Sequence, residues 1–245
     1  MKIDILTLFP EMCSQVLGES IIGRAQKNKK VEINCINIRD YANNKHNKVD
    51  DAPFGGGMGM VMAAEPVFNC CNSLYNLKEN KPHIIYMSPK GKTFDQQKAV
   101  ELSKKEHVVF LCGHYEGLDQ RVIDELIDEE ISIGDYVLTG GELPALVCAD
   151  AVCRMLPGVL SDDICFKEES HFAGLLEYPQ YTRPAVWHEQ EVPAVLLSGD
   201  HAAVDKWRRE ESLKITLEKR PDILKNAELN KKDIAFLKSL GYENE

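Results

Sequence analysis

Glycine-bearing turns that follow short apolar segments are the features of this chain best suited to do chemistry. Residues 113–117 (GHYEG) follow the apolar segment 107–112, and residues 88–91 (SPKG) and 133–141 (IGDYVLTGG) also stand where strands are expected to end. Glycine lets backbone N–H groups approach a ligand closely. In open α/β sheets, ligands bind outside the carboxyl ends of the strands. The three turns can therefore converge on one small molecule, although each glycine pair by itself indicates only a turn.

The glycine-rich segments do not match the motifs that bind phosphate. Residues 55–60 (GGGMGM) are followed by Val-Met, where a P-loop would have Lys and Ser or Thr. No G-x-G-x-x-G opens a helix after a predicted strand. ATPase, kinase and dinucleotide-dependent dehydrogenase functions are therefore disfavoured.

Strands that alternate with helices must position these turns. Hydrophobic periodicity predicts strands at 2–9, 31–39, 83–87, 107–112 and from 131, and helices at 11–28 (broken at Gly18), 66–77, 95–105 and 143–155. This order predicts an α/β domain with a parallel sheet over residues 1–160. Residues 161–180 read as a linker or active-site loop. Residues 181–245 are predicted to form a small, mainly helical domain, with helices at 201–220 (N-capped within 198–200) and 231–240.

Composition indicates the general type of protein and its location. The 245 residues suffice for a full hydrophobic core, and they contain no apolar run long enough for a membrane span and no signal-peptide pattern at the N-terminus. The eight cysteines form no C-x-x-C pair, which favours buried reduced thiols over a disulfide or metal role. These features predict a soluble cytoplasmic protein. The net charge of −10 counts mildly against nucleic acid as a partner, yet basic residues cluster at 24–30 and 206–220.

Segments spread along residues 3–220 together resemble one family, the bacterial tRNA (guanine-37 N1)-methyltransferases of the SPOUT superfamily. They are LFPEM (8–12), GRA (23–25), VDDAPFGGGMGM (49–60), SP (88–89), CGHYEGLD (112–119), SIGDYVLTGGELPA (132–145), PGVL (157–160), GLL (174–176), YTRP (181–184) and VLLSGDH (195–201). They occur in the family's order, so chance does not explain them.

The resemblance implies properties that the residue pattern alone does not give. Members of the family bind S-adenosylmethionine in a deep trefoil knot, which is exceptional among folds. They are homodimers with the active site at the subunit interface, and they methylate N1 of the guanine 3′ of the anticodon when another guanine precedes it. The resemblance also suggests Mg²⁺ as an assisting ion.

The cofactor-binding residues that the resemblance implies fall mainly in the three turns. They are Tyr86, Ser88, Pro89, Gly113, Tyr115, Glu116, Gly117, Ile133, Gly134, Asp135, Tyr136, Val137, Leu138, Gly140, Gly141 and Pro144. Three of them, Ile133, Val137 and Leu138, fit the hydrophobic core equally well.

Methyl transfer to guanine N1 requires a base for the N1 proton and a positive group near O6. The positions that match the family are Glu169 for the base and Arg154 for the cation. Where the family has Asp-Ser-Phe this chain has Glu-Ser-His-Phe after Glu168, so Glu168 is the alternative base. By composition alone both acids would be solvated, and Arg154 would pair with Asp150 one helical turn away.

Two further groups of residues are expected to bind the RNA. The first is the loop with His46, Asp50, Gly55, Gly56, Gly57 and Gly59, in which Met58 stands where the family has proline. The second comprises Lys206, Arg208 and Arg209, as phosphate contacts. A solvated polar surface explains His46 and the three basic residues nearly as well.

The resemblance predicts an S-adenosylmethionine-dependent tRNA guanine N1-methyltransferase. Two alternatives remain at this point. The chain could be a SPOUT methyltransferase for another RNA base, or a non-catalytic RNA-binding knot protein, whose cofactor loops would be broken.

Overall fold

Alternating strands and helices build the first part of the chain, as the hydrophobic pattern predicts. A computed structural model describes residues 1–160, 169–172, 174–225 and 227–242, so Glu168 and Cys165 lie outside the described residues. The chain divides into two units, Met1–Asp163 and Ile164–Glu245.

The first unit is organised by a parallel sheet. Its strands in chain order are β1 (Lys2–Thr7), β2 (Glu32–Asn37), β5 (His83–Thr93), β6 (His107–Cys112) and β7 (Glu129–Ser132). Their spatial order is β2-β1-β6-β5-β7, and every pairing in this sheet is parallel. Two short strands, β3 (Asp50–Asp51) and β4 (Val61–Met62), form a separate antiparallel pair. The predicted α/β class with a parallel sheet is therefore confirmed.

Helices cover both faces of this sheet. They are α1 (Pro10–Leu17), α2 (Ser20–Lys27), α3 (Ala64–Leu74), α4 (Gln96–Leu102), α5 (Gln120–Leu126) and α6 (Glu142–Arg154), with a 3-10 helix at Ile38–Tyr41. Ile3 and Ile5 belong to one buried cluster with residues of α1 and α6, and Leu6 belongs to a second cluster with residues of α3. Both faces are buried because a parallel sheet carries helices on each side.

The strand β5 differs from its prediction. We expected a strand at 83–87 that ends in the turn 88–91, but β5 continues to Thr93. Met87 and Lys92 both pair with Ile131 of β7, so the four residues between them bulge out of the ladder. Pro89 lies in this bulge, where it removes no hydrogen bond from the ladder.

The second unit contains helices α7 (His201–Lys219), α8 (Pro221–Leu224) and α9 (Lys231–Ser239), a 3-10 helix at Ala194–Leu197, and a hairpin of β8 (Val186–Trp187) and β9 (Gln190–Glu191). Its buried core contains Leu175, Leu213, Leu224 and Leu237. Asp200 caps α7 by accepting a hydrogen bond from the N–H of Ala203, at the predicted position.

The seven cysteines among the described residues are free thiols, and all but Cys35 are buried. Burial raises the pKa values of Cys71, Cys148 and Cys153 to about 12, which keeps these thiols protonated and unreactive. None of the helices in the described part of the chain is both long and apolar enough to span a lipid bilayer.

Candidate active site

The three glycine-bearing turns meet around one cavity of about 250 Å³ in the first unit. Of the sixteen predicted cofactor-binding residues, fifteen line this cavity, and Asp135 does not. Convergence from three distant parts of the sequence follows from the parallel sheet, which brings the carboxyl ends of its strands to one edge.

Close backbone packing explains the glycines of these turns. A Cβ atom at Gly113 would lie 2.7 Å from the Tyr86 ring, and one at Gly141 would lie 2.7 Å from the Cα of Cys112. The N–H of Gly141 donates to the carbonyl of Gly113 at 2.8 Å. Gly134 has φ +151°, a conformation that L-residues with side chains rarely adopt. The turns are therefore held together by backbone contacts that side chains would prevent.

Sequence reasoning missed several residues of the cavity wall. They are Met87, Lys90, His114, Leu118, Gln120, Ile123, Glu130, Ile131, Ser132 and Thr139. Lys90, His114 and Thr139 lie within the three predicted turns, so their position could have identified them. Glu130 gave no such signal, because it ends a run of acids that is typical of a solvent-exposed surface.

Two buried polar atoms of the cavity wall have unused hydrogen-bonding capacity. Oε2 of Glu130 and Nδ1 of His114 have no hydrogen-bond partner among the described residues. Burial, followed by the nearby Glu130 carboxylate, raises the pKa of Tyr86 above its usual value. A carboxylate that lines a partly apolar cavity favours a ligand with a positive charge or hydrogen-bond donors.

The glycine-rich loop at residues 52–60 is attached to the wall of this cavity. The N–H of Glu116 donates to the carbonyl of Met60, and the N–H of Met62 donates to the carbonyl of Gly117, both at 2.9 Å. A side chain at Gly59 would collide with the Glu116 carboxylate. The loop that is predicted to face RNA therefore ends at the cavity wall.

This loop presents large apolar side chains to solvent. Phe54 is 101% exposed and Met58 is 92% exposed. At Gly55 and Gly56 a Cβ atom would meet nothing within 4 Å. Exposed aromatic side chains of this kind suit the stacking of unpaired bases.

The remaining predicted RNA-binding residues of the first unit lie at the base of the loop. Asp50 begins β3 and pairs with Met62 of β4. His46 is exposed in the preceding turn, where its N–H donates to the side chain of Asn44 at 3.3 Å.

The two predicted catalytic residues belong to different units. Arg154 is the last residue of α6 in the first unit and is half-buried. Glu169 is half-buried in the second unit, in a turn where the N–H of His171 donates to the carbonyl of Leu175 at 2.9 Å.

The three predicted phosphate-contacting residues lie on α7 in different environments. Lys206 is exposed, and its ammonium lies 3.7 Å from Glu210. Arg208 places its guanidinium 5.0 Å from the centre of the Tyr178 ring. Arg209 donates to the buried Asp233 carboxylate at 2.9 Å.

The Arg209–Asp233 pair has a structural role in the second unit. Burial opposes ionisation of Asp233, but hydrogen bonds from Arg209 and from the N–H of Asn230 lower its pKa below the usual value. Arg209 also donates to the carbonyl of Glu228 at 3.0 Å, so its guanidinium is already engaged within the unit.

The fold and the cavity define an α/β protein with space for a small ligand at the carboxyl edge of a parallel sheet. The model of one family, described as tRNA (Guanine-1)-methyltransferase TrmD, matches residues 1–226. The chain belongs to this family.

Curated relatives agree over nearly the full length. A tRNA (guanine-N(1)-)-methyltransferase of Ruminiclostridium cellulolyticum is 62% identical over 223 residues, which cover 91% of this chain and 96% of the relative. The proteins of the same name from Alkaliphilus oremlandii and Bacillus cereus are 57% and 50% identical, and each match covers 98% of both chains.

Proposed function

We propose that this chain transfers a methyl group from S-adenosylmethionine to N1 of the guanine 3′ of the anticodon in tRNA, when a guanine precedes it. Membership of the family supports the activity, which is methylation of guanine N1 in tRNA. The cavity at the junction of the three turns is the observation that supports the choice of donor.

The residues around the cavity fit a sulfonium donor. The donor supplies an electrophilic methyl group when it is bound. The Glu130 carboxylate offers an acceptor to its positively charged or hydroxyl groups. Glycines of the three turns line the same cavity. Ile133 and Leu138 supply apolar wall. We propose the fifteen lining residues named above as the donor site and omit Asp135.

Two residues are proposed for the reaction at guanine. Glu169 accepts the N1 proton, and Arg154 stabilises the charge that develops on O6. An arginine also matches the acceptor edge of guanine. Glu168 remains the alternative base.

We propose no Mg²⁺ ligands. Among the residues that the structure describes, no group of three or more His, Cys, Asp and Glu side chains could hold a metal ion.

The RNA is proposed to contact both units. In the first, the loop with Gly55, Gly56, Gly57 and Gly59 exposes Phe54 to solvent and is bonded to the cavity wall through Met60, with His46 and Asp50 at its base. In the second, we retain Lys206 and Arg208 as phosphate contacts. Arg209 is a weaker candidate, because Asp233 already engages its guanidinium.

We further propose that the enzyme is a homodimer. Phe9, Met12 and Val16 at α1 and Leu143 and Val147 on α6 are 41% to 57% exposed, and the two helices pack together. Monomers rarely expose a contiguous apolar surface of this kind, and a second copy can cover it by two-fold symmetry. A V16D/V147D variant should sediment as a monomer, whereas wild-type protein should sediment as a dimer.

The remaining proposals concern fold and location. A deep trefoil knot in the first unit would be formed by the same turns that line the cavity. Residues 161–180 would link the donor-binding domain (1–160) to a tRNA-binding domain (181–245). A cytoplasmic location would follow from the substrate.

Incubation of the protein with S-adenosylmethionine and tRNA, followed by mass mapping of the modified nucleoside, tests the function. We expect 1-methylguanosine 3′ of the anticodon, and none when the preceding guanine is replaced. Methylation of another base would indicate a different RNA methyltransferase. Calorimetric titration that gave no donor binding would leave a non-catalytic RNA-binding protein.

Substitution of the two acids tests the base. E169A should lower kcat about 100-fold or more and leave the donor Kd nearly unchanged. E168A is the matched control. If E168A loses turnover and E169A does not, Glu168 is the base.

A further inference from the structure

A buried carboxylate lies close to two residues of the cavity wall, His114 and Gly140. Glu142, the first residue of α6, is 3% exposed, and Oε1 accepts a hydrogen bond from the hydroxyl of the fully buried Thr7 at 2.8 Å. The positive end of the helix dipole stabilises a negative charge at this position. The second carboxylate oxygen of Glu142, Oε2, lies 3.5 Å from Nδ1 of His114.

The imidazole of His114 is the natural partner for that second oxygen. Nδ1 is buried and has no hydrogen-bond partner among the described residues. A separation of 3.5 Å is at the outer limit of a hydrogen bond, so an approach of about 0.6 Å would create a charge-assisted one of ~2.9 Å.

The His114–Glu142 contact lies where two turns of the cavity join. His114 and Gly140 are bridge partners, and a side chain at Gly140 would collide with both the His114 ring and the Glu142 carboxylate. The contact therefore connects residues 113–117 with residues 139–141.

Aromatic neighbours hold the His114 ring in place. The ring centres of Phe9 and Tyr115 lie 5.1 and 5.6 Å from that of His114. The N–H of Phe9 donates to the Thr7 hydroxyl at 2.9 Å, which links the same segment to Glu142. Tyr115 has φ +59°, an uncommon conformation that persists only when its surroundings fix it.

We propose that His114 is a positioning residue of the donor site, which acts through the Glu142 carboxylate to hold the 113–117 turn against the 139–141 turn. This inference rests on the proposed function, because it assigns the cavity to the methyl donor. His114 sets the shape of the cavity, so it governs donor affinity more than the rate of the chemical step.

The test compares variants of His114 that keep or remove a donor at the Nδ1 position. Asn places an amide near Nδ1, whereas Gln places it near Nε2 and Phe has none. We expect H114F and H114Q to raise the donor Kd and KM about tenfold and to change kcat less than about twofold. H114N should restore the donor Kd to within about threefold of the wild-type value.

A double-mutant cycle with E142Q separates this contact from unrelated effects. If both substitutions break one contact, H114F/E142Q should bind the donor no more weakly than the worse single variant. Thermal melting of every variant provides the folding control.

Several outcomes would overturn the inference. These are an unchanged donor Kd in H114F, additive effects of H114F and E142Q, or kcat and melting temperature that fall in step with affinity in H114Q and H114N alike. Absence of donor binding by the wild-type chain would instead overturn the proposed function, and this inference with it.

Discussion

Two regions of the same sheet differ in whether their buried polar groups have hydrogen-bond partners. Toward the amino ends of the strands, the Asp4 carboxylate is 1% exposed and accepts hydrogen bonds from Asn34 (2.8 Å), Tyr75 (3.0 Å) and His107 (2.9 Å), with the Lys2 ammonium 3.5 Å away. We call these five residues the amino-edge cluster.

At the cavity, by contrast, buried polar atoms are left without partners. Glu130 Oε2 and His114 Nδ1 are the examples among the described residues, and only Glu130 Oε2 is offered to a ligand, because His114 Nδ1 faces the Glu142 carboxylate. An unsatisfied buried group costs stability, and such groups are typical of functional sites, where a ligand can satisfy them. The comparison indicates that the amino edge stabilises the fold and the carboxyl edge is shaped for a ligand.

The largest effect is expected from Gly141→Ala at the cavity. The new Cβ would lie 2.7 Å from the Cα of Cys112 and 3.0 Å from the N of Gly113, and neither backbone atom can move cheaply. Displacement of the turn by about 1 Å should lower kcat/KM about 100-fold or more, chiefly through the donor Kd. The control is Gly241→Ala, where φ is +87° but nothing lies within 4 Å. Normal donor binding by G141A would show that the donor does not bind in this cavity.

The opposite result is expected from Asp4→Ala in the amino-edge cluster. Tyr75, His107 and Asn34 would lose a shared acceptor, which should lower the free energy of unfolding by about 2–4 kcal/mol. At 25 °C kcat and the donor Kd should stay within about twofold. Urea unfolding measures the loss. As a control, Glu101→Ala, which removes an exposed carboxylate from its ion pair with Lys98, should cost less than about 0.5 kcal/mol. A loss of activity without a loss of stability would contradict the comparison.

The sequence was sufficient to predict the elements that build both regions. Apolar segments predicted β1 and β6, and residues 198–200 predicted the start of α7. The course of β5 was not predictable, because its continuation depends on Ile131 pairing with residues on both sides of the bulge. Local signals do not contain such pairings.

The cavity turns were predictable from the sequence, but the buried acids Asp4 and Glu130 were not. Glycines identified the turns around the cavity because close backbone contact excludes side chains. Asp4 and Glu130 gave no signal, since an acid in a strand usually faces solvent. Asp4 accepts a hydrogen bond from Tyr75, and Glu130 lies near Tyr86, and both tyrosines are far from these acids in sequence.

The role of the amino-edge cluster in stability can be tested at alkaline pH with Tyr75→Phe. Burial, followed by the neighbouring Asp4 carboxylate, raises the pKa of Tyr75 above the usual ~10. Above pH ~10 the unfolded chain releases this proton and the folded chain retains it, so stability falls by about 1.4 kcal/mol per pH unit for this group. Below pH ~10 its contribution is constant.

Tyr75→Phe should therefore cost about 1 kcal/mol at pH 8, from the lost hydrogen bond, and should flatten the decline between pH 10 and 11. Urea midpoints across this range measure the slope. The exposed tyrosine variant Tyr181→Phe should leave both quantities unchanged. An equally steep decline in Y75F would mean that other groups control alkaline unfolding.

The smallest effect is expected from Glu130→Gln, which should increase the stability of the protein, whereas Asp4→Ala and Tyr75→Phe should decrease it. Removal of a charge from a partly buried carboxylate with one unpaired oxygen should raise the free energy of unfolding by about 0.5–1 kcal/mol. The same substitution should weaken donor binding about fivefold, because the ligand loses a charged acceptor.

The adjacent Glu129 supplies the matched control, because its oxygens contact His83 at 2.7 Å and Lys98 at 3.1 Å. Glu129→Gln should lower stability slightly and leave the donor Kd unchanged. If Glu130→Gln also lowered stability, the Glu130 carboxylate would have to form stabilising hydrogen bonds within the protein. The two ends of the sheet would then not differ in how their buried polar groups are paired. Opposite signs from neighbouring residues would instead show that the cavity gives up stability to keep an acceptor for its ligand.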